Sequence, residues 1–210
     1  KSNLSGNAIL GVSLAVARAA ANARGKPLYK YLNADAHVLP VPQACLLNGG
    51  VHAGNDLDIQ EFCVMPIGAR TFAESVQILC ETFYSLKDIL LDQLGKSSTN
   101  SGEDGGFAPP ISSTRRAMDF LSEAIHRSGY TDKVVYGLDF AASGYYHPEK
   151  GTYAFEGSQK TQDEMITFIK ELLTEYPSIV SIEDPPSTLH REAPVSRDLH
   201  VSFILDPSHA

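Results

Sequence analysis

The chain has 210 residues, 43% of them apolar and 20% charged, with a net charge of −8. That balance excludes a wholly disordered chain, and at about 150 residues per domain it allows one large or two small domains. No apolar run reaches the roughly 18 residues of a membrane span, no secretory pattern is visible and no basic cluster offers a nucleic-acid face.

Residues 5–24 read as a helix. Ser5 offers a cap, and Ile9, Leu10, Val12, Leu14, Val16 and Ala17 among alanines predict burial on most sides. Gly25 predicts the stop and Pro27 the break. Residues 28–32 read as a short turn or helix and 33–37 as a linker. Residues 38–47 are β-prone, but Pro40 and Pro42 predict an edge or bulged strand, ended by Asn48-Gly49-Gly50. Residues 60–67 read as a second strand, antiparallel to the first.

Thr71 with Glu74 is a capping-box pattern opening a helix that ends at Gly95. Its predicted inward face is Phe72, Val76, Leu79, Cys80, Phe83, Leu86 and Leu90. Residues 96–110 are polar and glycine-rich, a loop long enough to carry function. A second helix runs from Ser113 to about Arg127, with Ala117, Phe120, Leu121, Ala124 and Ile125 inward.

From there the pattern becomes βαβ. Residues 134–142 read as an apolar strand interrupted by Asp139. Thr161 with Glu164 is another capping box, opening a helix with Met165, Phe168, Ile169, Leu172 and Leu173 inward. Residues 179–182 read as a buried strand ending at Glu183-Asp184-Pro185. This order implies parallel strands in one sheet, an α/β class. Residues 186–210 have no clear period, although 201–205 offers a short strand.

Two of these strands carry a carboxylate, Asp139 and Glu183. A buried carboxylate costs several kcal/mol unless it is paired or metal-bound. Functional residues gather where parallel strands end, and carboxylate oxygens suit a hard cation such as Mg²⁺. The alternative is that each acid caps a helix or pairs with an arginine. His52 lies in the glycine-rich run Gly49-Gly50-Val51-His52-Ala53-Gly54-Asn55, where backbone can approach a ligand; a loop histidine without a role is the alternative. Glu61 at a strand start says little by itself. The loop at 100–110 sets Glu103 and Asp104 between glycines, which suits either an acid carried into a closing site or a solvated turn. It lacks the Gly-Lys-Ser/Thr ending of a phosphate loop. Cys45, Cys63 and Cys80 are odd in number and widely spaced, which fits neither a disulfide framework nor a zinc motif and suits a reducing cytoplasm.

Several stretches together resemble one family. They are Gly6-Asn7-Ala8-Ile9-Leu10-Gly11-Val12-Ser13-Leu14, Leu47-Asn48-Gly49-Gly50-Val51-His52-Ala53-Gly54, Gln60-Glu61-Phe62, Gly105-Gly106-Phe107-Ala108-Pro109, Gly137-Leu138-Asp139 and Val180-Ser181-Ile182-Glu183-Asp184-Pro185. In this order and spacing they resemble enolase, the phosphopyruvate hydratase of glycolysis. The resemblance implies a lyase that interconverts 2-phosphoglycerate and phosphoenolpyruvate with Mg²⁺, cytoplasmic and, in the full-length family, homodimeric. It implies that Asp139 and Glu183 are metal ligands, with Glu183 also at the substrate. It implies that His52, Gln60 and Glu61 contact substrate or relay protons, and that position 104 is the general acid.

The resemblance also divides the chain. Residues 1–33 resemble the last helices of an α+β N-terminal domain, 38–185 the first part of an enolase-type (β/α) barrel, and 186–210 nothing in the family. A complete barrel takes about 250 residues, so this one is expected to be open. The opening Lys1, with no methionine before Met65, suggests a processed chain or a piece of a longer one. The family's loop reads Gly-Asp-Glu-Gly-Gly, whereas here Glu103 and Asp104 are exchanged, which shortens the acid at 104 by one methylene. No stretch of 186–210 matches the family's catalytic lysine or third metal-binding aspartate. The alternative reading is therefore an inactive enolase-like fragment or pseudoenzyme, and the 210-residue chain alone is expected to show no turnover. Another Mg²⁺-dependent barrel enzyme acting on a carboxylate is the third reading.

Overall fold

The computed structural model describes residues 4–186, together with the backbone of 202–204. Most of the predicted tail thus lies outside the described residues. The chain divides into two units at Pro40.

The first unit holds two helices, α1 (Gly6–Ala23) and α2 (Leu28–Leu32). Helix α1 ends as predicted: Gly25 has φ +60°, its N–H bonds Asn22 O, and Lys26 N–H bonds Ala21 O. This doubly bonded stop requires the left-handed conformation that glycine adopts without strain. Two expectations fail here. The Ser5 hydroxyl bonds the Asn7 side chain rather than a helical N–H. Burial on most sides is also wrong, because Ala21 is the only buried residue of α1 and Leu10, Val12 and Val16 are well exposed. Helical periodicity marks which residues share a face; it does not supply the surface that covers them.

The second unit, from Val41, is built on a five-stranded sheet. Its strands are β1 (Ala44–Asn48), β2 (Glu61–Met65), β3 (Val135–Asp139), β7 (Ile179–Glu183) and β8 (Ser202–Ile204), adjacent in that order. β1–β2 and β2–β3 pair antiparallel, while β3–β7 and β7–β8 pair parallel. β1 begins only at Ala44, beyond both prolines, and stands at the edge of the described strands, with a register shift between Cys45 and Leu47. Among the described residues the sheet is an open piece of barrel.

Helices α3 (Phe72–Leu94), α4 (Thr114–Arg127) and α5 (Gln162–Glu175) cover the sheet. Helices α4 and α5 bury the predicted faces, and both start on side-chain caps, Ser113 and Thr161. At Thr161 the box is reciprocal; at Thr71 only half of it forms, because the Glu74 carboxylate accepts from Arg70 N–H instead. The predicted face of α3 is rotated. Ser75, Ile78, Leu79, Thr82, Leu86, Ile89 and Leu90 are buried, while Phe72, Val76 and Cys80 are exposed.

A three-stranded sheet was not predicted: β4 (Tyr146–His147), β5 (Thr152–Phe155) and β6 (Ser158–Lys160). It plugs Tyr153 and Phe155 into the core, where the Phe155 ring lies 4.9 Å from that of Phe168. Its turn residue Glu156 donates its N–H to Asp58 and accepts from Thr114 N–H, both at 2.6 Å. Those bonds tie the β1–β2 loop to the start of α4.

Candidate functional site

Four strands meet on one rung of the ladder. Asn48, Glu61, Asp139 and Glu183 are successive register partners across β1, β2, β3 and β7. The topology dictates this. β3 and β7 are parallel and end here, β2 runs the other way and begins here, and β1 reverses again and ends here. Neighbouring strands lie about 4.8 Å apart, so three carboxylates stand side by side. Asp139 is thus the last residue of its strand rather than an interruption within it, which corrects the expectation of a strand through 142.

Gln60 orients Asp139. Its backbone N–H donates to Asp139 O and its Nε2 to Asp139 Oδ2, each at 2.9 Å. Asp139 Oδ1 accepts from Ala141 N–H at 2.9 Å. Beyond the strand ends the two loops lace together. Phe140 N–H donates to Glu183 O, Ala142 N–H to Asp184 O, and both the N–H and hydroxyl of Ser143 reach the Asp184 carboxylate. Ala141 and Asp184 take φ +43° and +36°, left-handed positions costing roughly 1 kcal/mol or more each for a side-chain-bearing residue. Strain of this kind collects where geometry matters more than local comfort.

The glycine-rich loop brings its acid to the same end. Asp104 Oδ2 accepts from His52 Nδ1 at 2.6 Å and from Asn48 Nδ2 at 2.8 Å. Asp104, not Glu103, faces the site; Glu103 contributes its backbone N–H to His52 O at 2.9 Å. The close approach depends on Gly102, where a Cβ would fall 2.6 Å from Asn48 Cβ. His52 Nδ1 also lies 3.7 Å from Glu61 Oε1. Every residue singled out in the sequence, His52, Gln60, Glu61, Asp104, Asp139 and Glu183, is therefore at this end of the sheet.

Burial first, and then the charges of Asp104 and Asp139, raise the Glu61 carboxyl above its ordinary pKa, against the opposing bond from Cys63 and the His52 ring. An acidic site in this state favours a cation. Asp139 and Glu183 present only oxygen donors from adjacent parallel strands, a donor set suited to a hard divalent ion.

Sequence reading missed three features. Asn48 reads as part of a turn, yet it is fully buried and holds Asp104. Cys45 and Cys63 seem unrelated by spacing, yet they are register partners beside Glu61. The hydrogen bond shared with Cys63, reinforced by burial, pushes the Cys45 thiol up. The Tyr145 hydroxyl is buried with no hydrogen-bond partner among the described residues, near the charges of Asp58, Asp184 and Asp139. Only the antiparallel pairing of β1 with β2 reveals the cysteine pair.

Comparison with known proteins places the chain in a family. Residues 36–195 match the family model described as the enolase C-terminal TIM barrel domain. Relatives named enolase include one from Methanocaldococcus jannaschii, 46% identical over 98% of this chain and 49% of its own length. One from Thermococcus kodakarensis is 48% identical over 88% of this chain and 44% of its own length. One from Methanococcus maripaludis is 49% identical over 88% of this chain and 43% of its own length. The chain spans about half the length of these relatives. With three-quarters of its residues inside the matched domain, the chain belongs to the enolase family.

Proposed function

We propose that this chain supplies the metal- and proton-handling side of an enolase site, interconverting 2-phosphoglycerate and phosphoenolpyruvate with Mg²⁺. The rung Glu61–Asp139–Glu183 carries this reading, because three carboxylates on adjacent strand ends repel one another and a cation beside them relieves that repulsion. Asp139 and Glu183 would hold the ion, with Gln60 fixing Asp139. Mg²⁺ bound there supplies positive charge against the substrate carboxylate as the proton beside it is removed.

The remaining residues handle protons and position. Both contacts to Asp104 fall on Oδ2, so Oδ1 is the oxygen left to carry a proton to the departing hydroxyl. His52 and Asn48 fix the direction of that carboxyl. Glu61, with its raised pKa and its place between His52 and Asp139, would share in the relay.

Calorimetric titration of Mg²⁺ in the presence of 2-phosphoglycerate tests the reading. The unaltered chain is expected to bind, while Asp139→Asn and Glu183→Gln each weaken Mg²⁺ at least tenfold. Equal affinity in Asp139→Asn and Glu183→Gln would refute it.

A further inference from the structure

We propose that Cys45, Cys63 and Glu61 form a second cation site, selective for a thiophilic divalent ion of the zinc class. Cys45 and Cys63 are register partners across β1 and β2, which puts both thiols on one face of the sheet. Glu61 precedes Cys63 by two residues and so shares that face. The two sulfur atoms and a Glu61 carboxylate oxygen all lie within 4.8 Å of one another. A tetrahedral zinc ion with bonds of about 2.1–2.3 Å spaces its ligands about 3.5–3.8 Å apart. Closing the cluster onto an ion therefore takes side-chain rotations of about 1 Å, and the register shift after Cys45 leaves the edge strand room for them.

The present partners of these groups are weak. Cys45 Sγ donates to Leu47 O at 3.2 Å and Cys63 Sγ to Glu61 Oε2 at 3.5 Å, and the two thiols share a hydrogen bond with each other; as metal–sulfur bonds replace these, each thiol releases its proton to solvent. Cys63 is buried, while Cys45 and Glu61 are half-buried, so the cluster is open to an incoming ion on one side. Three protein ligands leave the fourth tetrahedral position for water. Sulfur excludes Mg²⁺, which takes oxygen in octahedral geometry, and favours softer ions. The two sites are thus separated by ligand chemistry, all-oxygen at Asp139 and Glu183, sulfur-rich at Cys45 and Cys63.

Glu61 joins them. Its Oε2 faces Cys63 while its Oε1 faces His52. An ion held by the thiols draws this carboxylate away from His52 and out of the proton relay. That inhibitory effect rests on the proposed function; the ion site itself does not.

The test is a titration of the reduced chain with Cd²⁺, a spectroscopic substitute for zinc, in excess Mg²⁺, followed by the ultraviolet thiolate-to-metal charge-transfer band. The expected result is one Cd²⁺ per chain, undiminished by Mg²⁺. The band should disappear in Cys45→Ser and Cys63→Ser, weaken at least tenfold in Glu61→Gln and stay unchanged in Cys80→Ser. Cys45→Ser, at a half-buried edge position, remains informative if the buried Cys63→Ser does not fold. An unchanged band in Cys45→Ser, its loss in Cys80→Ser, or its persistence in guanidinium chloride would overturn the proposal. Asp139→Asn should leave the band intact, so failure of the Mg²⁺ reading and failure of this one are separable.

Discussion

Asn48 is where the acidic rung and the acid-bearing loop meet. It is fully buried, donates Nδ2 to Asp104, and its Oδ1 has no partner among the described residues. Asn48→Asp adds a fourth carboxylate to the rung, against both Glu61 and Asp104. A buried like-charged group without a counterion costs about 3 kcal/mol or more. The urea midpoint should fall accordingly, and an unchanged midpoint would mean that the rung tolerates charge without a cation. Tyr145 holds the other orphan atom. Tyr145→Phe removes a hydroxyl whose desolvation no described residue repays, and is expected to raise stability by about 1 kcal/mol. A loss of similar size would reveal a partner for that hydroxyl. Legibility at this scale followed chemistry. Asp104 and His52 stood out because glycines flank them, and Asp139 because it is an acid after apolar residues. Asn48 did not, because an asparagine before two glycines has the composition of any turn.

At the scale of elements, local signals were read well and face assignments less well. Caps are decided by three or four residues, and the box at Thr161 forms as its spacing predicts, whereas Ser5 turns to Asn7 and the box at Thr71 forms only half because other local partners compete. The face of α3 was misread because its core stripe contains Ser75 and Thr82, whose hydroxyls are satisfied internally by Thr71 O and Ser128 Oγ. The small sheet escaped because strands of two to four residues offer too little alternation to detect. Two tests belong here. Gly106→Ala would put a Cβ 2.8 Å from Asn48 Oδ1 and 3.0 Å from the Leu46 carbonyl carbon. The overpacking is expected to cost about 1–3 kcal/mol and to displace the neighbouring Asp104; an unshifted urea midpoint would contradict it. The second concerns Asp58, which anchors the β1–β2 loop to the small sheet. Burial raises its pKa, only partly offset by the Glu156 N–H bond. A folded-state pKa above the unfolded value gives stability that is full at low pH and lost as pH rises through the raised value. Asp58→Asn keeps an acceptor and removes the charge, so its unfolding midpoint should fall less than that of the unaltered chain between acid and neutral pH. Parallel curves would show that Asp58 is not the titrating group.

Across the whole molecule, the site depends on order of strands rather than on any one segment. The β3–α5–β7 crossover was legible because strand, helix and strand at that spacing leave little choice but a parallel pair. The rung was not, because it needs two antiparallel pairings, β1 with β2 and β2 with β3, before Asn48 and Glu61 align with Asp139 and Glu183. A site assembled from strands so far apart in sequence exists only in the folded state, so an ion bound there must stabilise folding. At a hundredfold excess over its dissociation constant the linkage is about 2.7 kcal/mol. Mg²⁺ is therefore expected to raise the Tm of the chain saturably, and Glu183→Gln to abolish the increment. Sodium chloride at matched ionic strength separates this from screening, since a Debye length of about 10 Å at 0.1 M softens repulsion among all half-exposed acids without a site. If sodium chloride reproduces the Mg²⁺ increment, or Glu183→Gln retains it, the three carboxylates tolerate one another through solvent alone and the strand ends hold no ion.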